Sequence, residues 1–192
     1  MQRKTQSRTR LLSAAESVFY DQGITTTSID TVARAAEVTK PTVYAHFPSK
    51  SALAAAALTA RHARRRAELD ASLAAADPGE ERVLTVFACL GTWYERGGHR
   101  GCAFVNAAAQ SPADGEILRA AREEKRWLHA TLTELCAQTG LANPDLIASQ
   151  LLLLIDGVAG RVAVQGHPAA AEAIDAAAQA ARALITAADG RP

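Results

Sequence analysis

At 192 residues, with 48% hydrophobic but only 5% aromatic content, the chain can bury a sizeable core built from Ala, Leu, Val and Ile. Its net charge of +1 hides an asymmetry: residues 1–66 carry 11 Lys/Arg against 4 Asp/Glu, and the remainder 10 against 16. A basic first third (+7) joined to an acidic body (−6) suggests that one end meets a polyanion, and three widely spaced cysteines argue against a disulfide framework.

Alanine-rich runs at 53–58 and 169–183 favour helix, because alanine loses no side-chain entropy there, and no stretch alternates Val, Ile and Thr as a strand would. The expected fold is all-α, with about nine helices. The first is predicted from Thr5 to Gln22, where Leu11, Leu12, Ala15, Val18 and Phe19 recur at helical spacing and Gly23 supplies the stop. Thr27 is read as the cap of a second helix, with Asp30 three residues on, and Ile29, Val32, Ala33 and Ala36 as its buried stripe. A break at Glu37–Thr39 leads to a short third helix, Lys40–His46, where Pro41 is tolerated because first-turn amides have no intrahelical partner.

Ser49 is placed to cap a long fourth helix running from Lys50 towards Ala76, which Asp77-Pro78-Gly79 ends. Further helices are predicted at Glu80–Arg96, Cys102–Gln110, Glu116–Gln138 and Asn143–Gln165, with a last one from Pro168 to about Asp189. The basic start is followed by too short an apolar stretch for a signal core, and Leu151–Ile155 falls far short of a membrane span. The reading is a cytoplasmic chain without membrane association.

Two short helices joined by a three- to four-residue turn form the unit that lays its second helix in the DNA major groove. Here Val38, Val43 and Phe47 can pack on Ile29 and Val32, leaving Thr39, Lys40, Thr42, Tyr44, Ala45 and His46 outward. Lys40 and Thr42 suit base edges, an ammonium for guanine acceptors and a methyl for thymine. Tyr44, His46, Lys50 and Thr27 suit phosphates, to which helix N-termini add amide donors.

The stretch Ser28–Ala33 together with Val38–Lys50 closely resembles the N-terminal signature of the TetR family of bacterial regulators. Its aromatic–x–His–Phe–x–x–Lys element stands at Tyr44–Lys50, just before a long helix. The resemblance implies phosphate contacts from Tyr44, His46 and Lys50, and base contacts from Thr39 to Thr42. Pro41 departs from the glycine common at that place and removes one backbone amide from the expected phosphate contact. The implied division is a helix-turn-helix domain at 1–48 and a helical effector-binding and dimerisation domain at 49–192. The implied function is an effector-responsive repressor that binds a palindromic double-stranded DNA operator as a homodimer.

In the body, Leu151–Ile155 is apolar on every side of its helix, and the last helix has one polar stripe, Glu172, Asp175, Gln179 and Arg182. A dimer interface is therefore expected from Leu151, Leu154, Ile155, Val158, Val162, Ile174, Ala177, Ala181 and Leu184, against the alternative of a wholly intramolecular core. The resemblance also implies an enclosed pocket for a small-molecule effector. The scarce large side chains and their polar neighbours, Phe87, Trp93, Tyr94, His99, Phe104, Asn106 and Trp127, are its candidates.

Other classes find less support. No nucleophile elbow, zinc-protease pair, dinucleotide glycine pattern or phosphate loop occurs, so neither an enzyme nor a cofactor is expected. His99 and Cys102, joined by Cys89 or Cys136, would make a metal- or thiol-responsive regulator, but no metal site is expected where glycines make a loop simpler. A helical interaction module with no DNA role would leave the basic end and Thr27–Lys50 unexplained.

Overall fold

The computed structural model describes residues 2–189, which form nine α-helices and no strand. They are α1 (Gln2–Gln22), α2 (Ile29–Ala35), α3 (Lys40–His46), α4 (Lys50–Ala75), α5 (Glu80–Glu95), α6 (Ala103–Gln110), α7 (Gly115–Gln138), α8 (Pro144–Gln165) and α9 (Ala170–Asp189). The start of α1 lies three residues ahead of the expected Thr5, and a 3-10 turn at His167–Ala169 occupies the place where Pro168 was expected to open the last α-helix.

The chain packs as two compact units, Met1–Arg64 with Ala103–Glu124 and Arg65–Cys102 with Lys125–Pro192. In the first, Leu11, Ala15 and Phe19 of α1 are buried, as are Val32 and Ala33 of α2, Val43 of α3, Phe47, and Leu53, Ala54 and Ala57 of α4. Phe104 and Ala107 of α6 and Ile117 of α7 complete this core. In the second, α9 packs on both α5 and α8 over Val83, Phe87, Leu90, Leu132, Leu151, Ile155 and Val162. The alanines Ala173, Ala177 and Ala181 of α9 are buried there, where small side chains let helices approach closely.

Local devices set the helix ends in the first unit. Ser28 caps α2, its Oγ accepting from the Thr31 amide at 3.1 Å. Ser49 does the same for α4 as expected, accepting from the Ala52 amide at 2.9 Å. Between α2 and α3 the chain closes with two bonds, Glu37 N–H to Arg34 O at 3.1 Å and Val38 N–H to Ala33 O at 3.0 Å. This is a Schellman turn, and it holds Glu37 at φ 55°, a conformation that glycine adopts at less cost.

Helix α8, by length and composition, is apolar enough to cross a membrane, whereas the reading of 151–155 alone was not. Its packing explains the composition. Ile147, Ala148, Leu151, Ile155, Val158, Ala159 and Val162 form one face, buried in the core of the second unit.

Candidate nucleic-acid interface

The short helix α3 has an exposed outer face and a buried inner one. Thr39, Lys40, Pro41, Tyr44 and Ala45 are exposed, Thr42 and His46 are half-buried, and Val43 is fully buried as the anchor. Tyr44, at 46% exposure, is one of few large apolar side chains left open to solvent. Thr39 is the N-cap: its Oγ1 accepts from the Thr42 amide at 3.4 Å and meets Thr42 Oγ1 at 2.8 Å. The two hydroxyls therefore orient each other at the start of the helix, where sequence reading expected base contacts.

The charged groups are held by partners that the sequence reading did not assign. Lys40 Nζ pairs with Asp30 Oδ2 at 2.9 Å, tying α3 to α2, and the bond to Asp30 raises the Lys40 pKa above its ordinary value. Lys50 Nζ donates to the carbonyls of Thr25 at 3.2 Å and Thr27 at 3.1 Å, so it staples the α1–α2 loop from the first turn of α4. An ammonium has three donors, so one remains for a phosphate. His46 Nε2 meets Ser7 Oγ at 2.8 Å, and the Arg8 guanidinium sits 5.4 Å from the centre of the Phe47 ring. Ser7 and Arg8 place α1 beside the end of α3; no periodicity in the sequence signals that contact.

Thr27 corrects the sequence reading. It does not cap α2; Ser28 does, and Thr27 is buried with its hydroxyl donating to Gly23 O at 2.6 Å. A threonine whose only proton is spent on a buried carbonyl has none left for a phosphate. The Ser28–Thr31 spacing carried the signal, one residue along from the position chosen.

The arginine cluster is taken up by the protein itself. Arg61 pairs with Glu16 at 2.9 Å, Arg64 bonds the same carboxylate, and both link α4 to α1. In the second unit Arg65 is buried 4.6 Å over the Trp93 ring, and Trp93 Nε1 donates to Glu68 Oε2 at 2.9 Å.

The expected effector residues are divided between the two units. Phe87, Trp93 and Tyr94 belong to the core of the second unit, Phe104 to that of the first, and His99 lies on the exposed turn after α5. Asn106 lines a small cavity of about 30 Å³ in the first unit, beside Glu16, Tyr20, Arg61 and Gln110, with room for about one water. Trp127 instead lines an open groove of about 480 Å³ in the second unit, with the ends of α4 and α7 as its walls. In an alanine-rich chain the few aromatics Phe87, Trp93, Tyr94 and Phe104 supply much of the core volume.

The residues expected at the dimer contact face mostly inward. Leu151, Ile155, Val158, Val162, Ala177 and Ala181 are buried within their own unit, and Leu154, Ile174 and Leu184 are half-buried against the same core. The outer face of α8 is a different stripe: Leu146, Leu153 at 71% exposure, Gly157, Gly160 and Val164 at 87%. From Leu153 to Val164 these positions recur at three- and four-residue spacing and form one apolar line along the helix, with Leu146 two turns before it.

Cys89, Cys102 and Cys136 are free and buried. Burial raises the Cys89 thiol above its ordinary range and pushes Cys136 up to about 11. Among the described residues no group of three or more His, Cys, Asp and Glu side chains could hold a metal ion.

Residues 11–57 match the family model described as bacterial regulatory proteins, tetR family. A TetR-family transcriptional regulator from Streptomyces coelicolor is 28% identical, with 96% of each chain covered and a TM-score of 0.87. A protein assigned as a TetR-type regulator in Streptomyces avermitilis is 27% identical over 95% of this chain and 98% of its own, with a TM-score of 0.79. A TetR transcriptional regulator from Chloroflexus aurantiacus, 22% identical over 97% of each chain with a TM-score of 0.82, shares the fold. No curated protein sequence matches the chain.

Proposed function

Given that the chain belongs to the TetR family of bacterial regulatory proteins, we propose that this transcriptional regulator is an effector-responsive repressor binding a palindromic operator as a homodimer in the cytoplasm. The observation that carries DNA reading is the outer surface of α3, where Thr39, Lys40, Pro41 and Tyr44 stand exposed over a buried Val43. Thr39, Lys40 and Thr42 read bases; Tyr44, His46 and the third donor of Lys50 hold phosphates. Pro41 lies exposed at the second position of α3 and contributes apolar contact in place of an amide.

Residues 1–48 form the DNA-reading domain and 49–192 the effector-binding and dimerisation domain. The dimer contact is the outer stripe of α8, Leu146, Leu153, Gly157, Gly160 and Val164, flanked by α9. An apolar line of that length on a surface helix is stabilised by a partner, and a second copy places two recognition helices about 34 Å apart, in successive major grooves. The effector acts by favouring a dimer whose spacing no longer fits the groove, to the extent that it binds that conformer more tightly.

Selection of bound fragments from random duplexes with the purified chain tests the reading. A palindromic consensus with half-sites one helical turn apart is expected. Equal retention of all sequences, or of half-sites singly, would overturn the dimeric operator.

A further inference from the structure

We propose that the groove formed in the second unit by the end of α4, the start of α5 and the end of α7 binds a flat aromatic carboxylate. The cavity, about 480 Å³, lies within the range that accommodates small molecules. Trp127, Leu73 and Leu135 give it an apolar lining, and Trp127 and Leu73 are half-buried against the core behind them. A ring stacked on a half-buried indole gains area without requiring that indole to be ordered first.

The sign of the ligand follows from which charge is held and which is already answered. Arg82 is half-buried, and its Nε donates to the Ala76 carbonyl at 3.3 Å, which fixes the guanidinium. The Arg82 amide donates to the Gly79 carbonyl at 3.2 Å, and among the described residues the Nε bond is the only one made by its side chain, so the two terminal nitrogens remain for a carboxylate, which they match in bidentate geometry. The acids of the same groove are differently placed. Asp70 faces Arg66 at 3.8 Å one turn away on α4. Glu134 is exposed and accepts from Gln138 at 3.5 Å, so it is a solvated carboxylate on a free stem. The fixed arginine loses least on binding, and an anion on the aromatic ring is the partner it selects.

Occupancy of the groove stands by itself; its consequence for operator release rests on the regulatory reading above. Calorimetric titration of the full chain with 1-naphthoate, 1-naphthylmethanol and 1-naphthylmethylammonium separates the two. One naphthoate per chain is expected, bound at least about tenfold more tightly than the alcohol or the ammonium ion. Arg82→Gln removes that preference, Glu134→Gln leaves it or sharpens it, and Ala74→Phe, at an exposed helical position, fills the groove and abolishes binding while the fold is retained. Absence of naphthoate binding, tighter binding of the ammonium probe, or unaltered binding by Ala74→Phe overturns the site. Naphthoate that binds as described and leaves DNA affinity unchanged overturns the regulatory link alone.

Discussion

The Gln110 side-chain oxygen accepts a hydrogen bond from the Ile24 amide at 2.7 Å, joining the end of α6 to the loop that precedes α2. Gly23, beside it, has φ +89°, and a Cβ there would lie 2.8 Å from the same oxygen. The loop is therefore shaped to admit Gln110. Four residues on, Asp114 accepts from the amides of Glu116 and Ile117, and a hydrogen bond from Ser51 lowers its pKa. The α6–α7 corner thus grips both the loop before α2 and the first turn of α4.

Gln110→Leu is expected to destabilise the chain by about 1–2 kcal/mol, because it leaves a part-buried amide without its acceptor. DNA affinity should fall with it although α3 is untouched. Thermal unfolding and a binding titration on one variant read both; an unchanged melting temperature would show the bond to be dispensable.

At the DNA surface, Tyr44→Phe tests the phosphate role more cleanly than Lys50→Ala, because Lys50 also staples the α1–α2 loop. Loss of a phosphate contact weakens binding to all duplexes alike, whereas Thr42→Ala changes sequence preference. Asp30→Asn frees Lys40 from its pair and is expected to raise affinity for any duplex, steepening the salt dependence by up to about one unit. A weaker or unchanged affinity in Asp30→Asn would place Lys40 away from the DNA.

Leu151 and Leu153, two residues apart on α8, give opposite expectations. Leu153→Asp, on the outer face, should leave a folded helical monomer. Leu151→Asp, at 0% exposure, should prevent folding, since an unpaired carboxylate is driven into the core. Sedimentation and circular dichroism distinguish them, and a dimeric Leu153→Asp would remove the α8 stripe from the interface.

The thiols should be silent. With Cys89 raised by burial and Cys136 at about 11, both remain protonated at neutral pH and out of reach of reagent. Thiol titration of the native chain is expected to report far fewer groups than after denaturation, and mild peroxide should not alter DNA binding. Rapid native labelling would restore the thiol-sensing alternative.

Glu37 holds a left-handed conformation at the α2–α3 turn, and its exposed pair with Arg10 at 3.8 Å offsets little of that cost. Glu37→Gly should stabilise the chain by about 0.5–1 kcal/mol. A fall in melting temperature would mean that the Arg10 contact outweighs the backbone strain.

Periodicity and capping chemistry made the helices legible in the sequence, including the Ser49 cap, because these are local properties of a dozen neighbouring residues. The short helix α3 and the aromatic–x–His–Phe–x–x–Lys element were legible for the same reason: the element runs from α3 through the turn after it to the first residue of α4. Which face of α8 is buried was not. A stretch apolar on every side, as Leu151–Ile155 is, has no preferred side until a neighbour arrives, and the core with α9 took the Leu151–Val162 face, leaving Leu146, Leu153 and Val164 outside. The aromatics likewise read as ligand contacts or as core with equal ease, and packing placed Phe87, Trp93 and Tyr94 in the core. Thr27 went to a buried carbonyl and Ser28 to the cap. Each of these outcomes is a competition between neighbouring side chains for one environment, and only contacts between elements distant in the chain decide it.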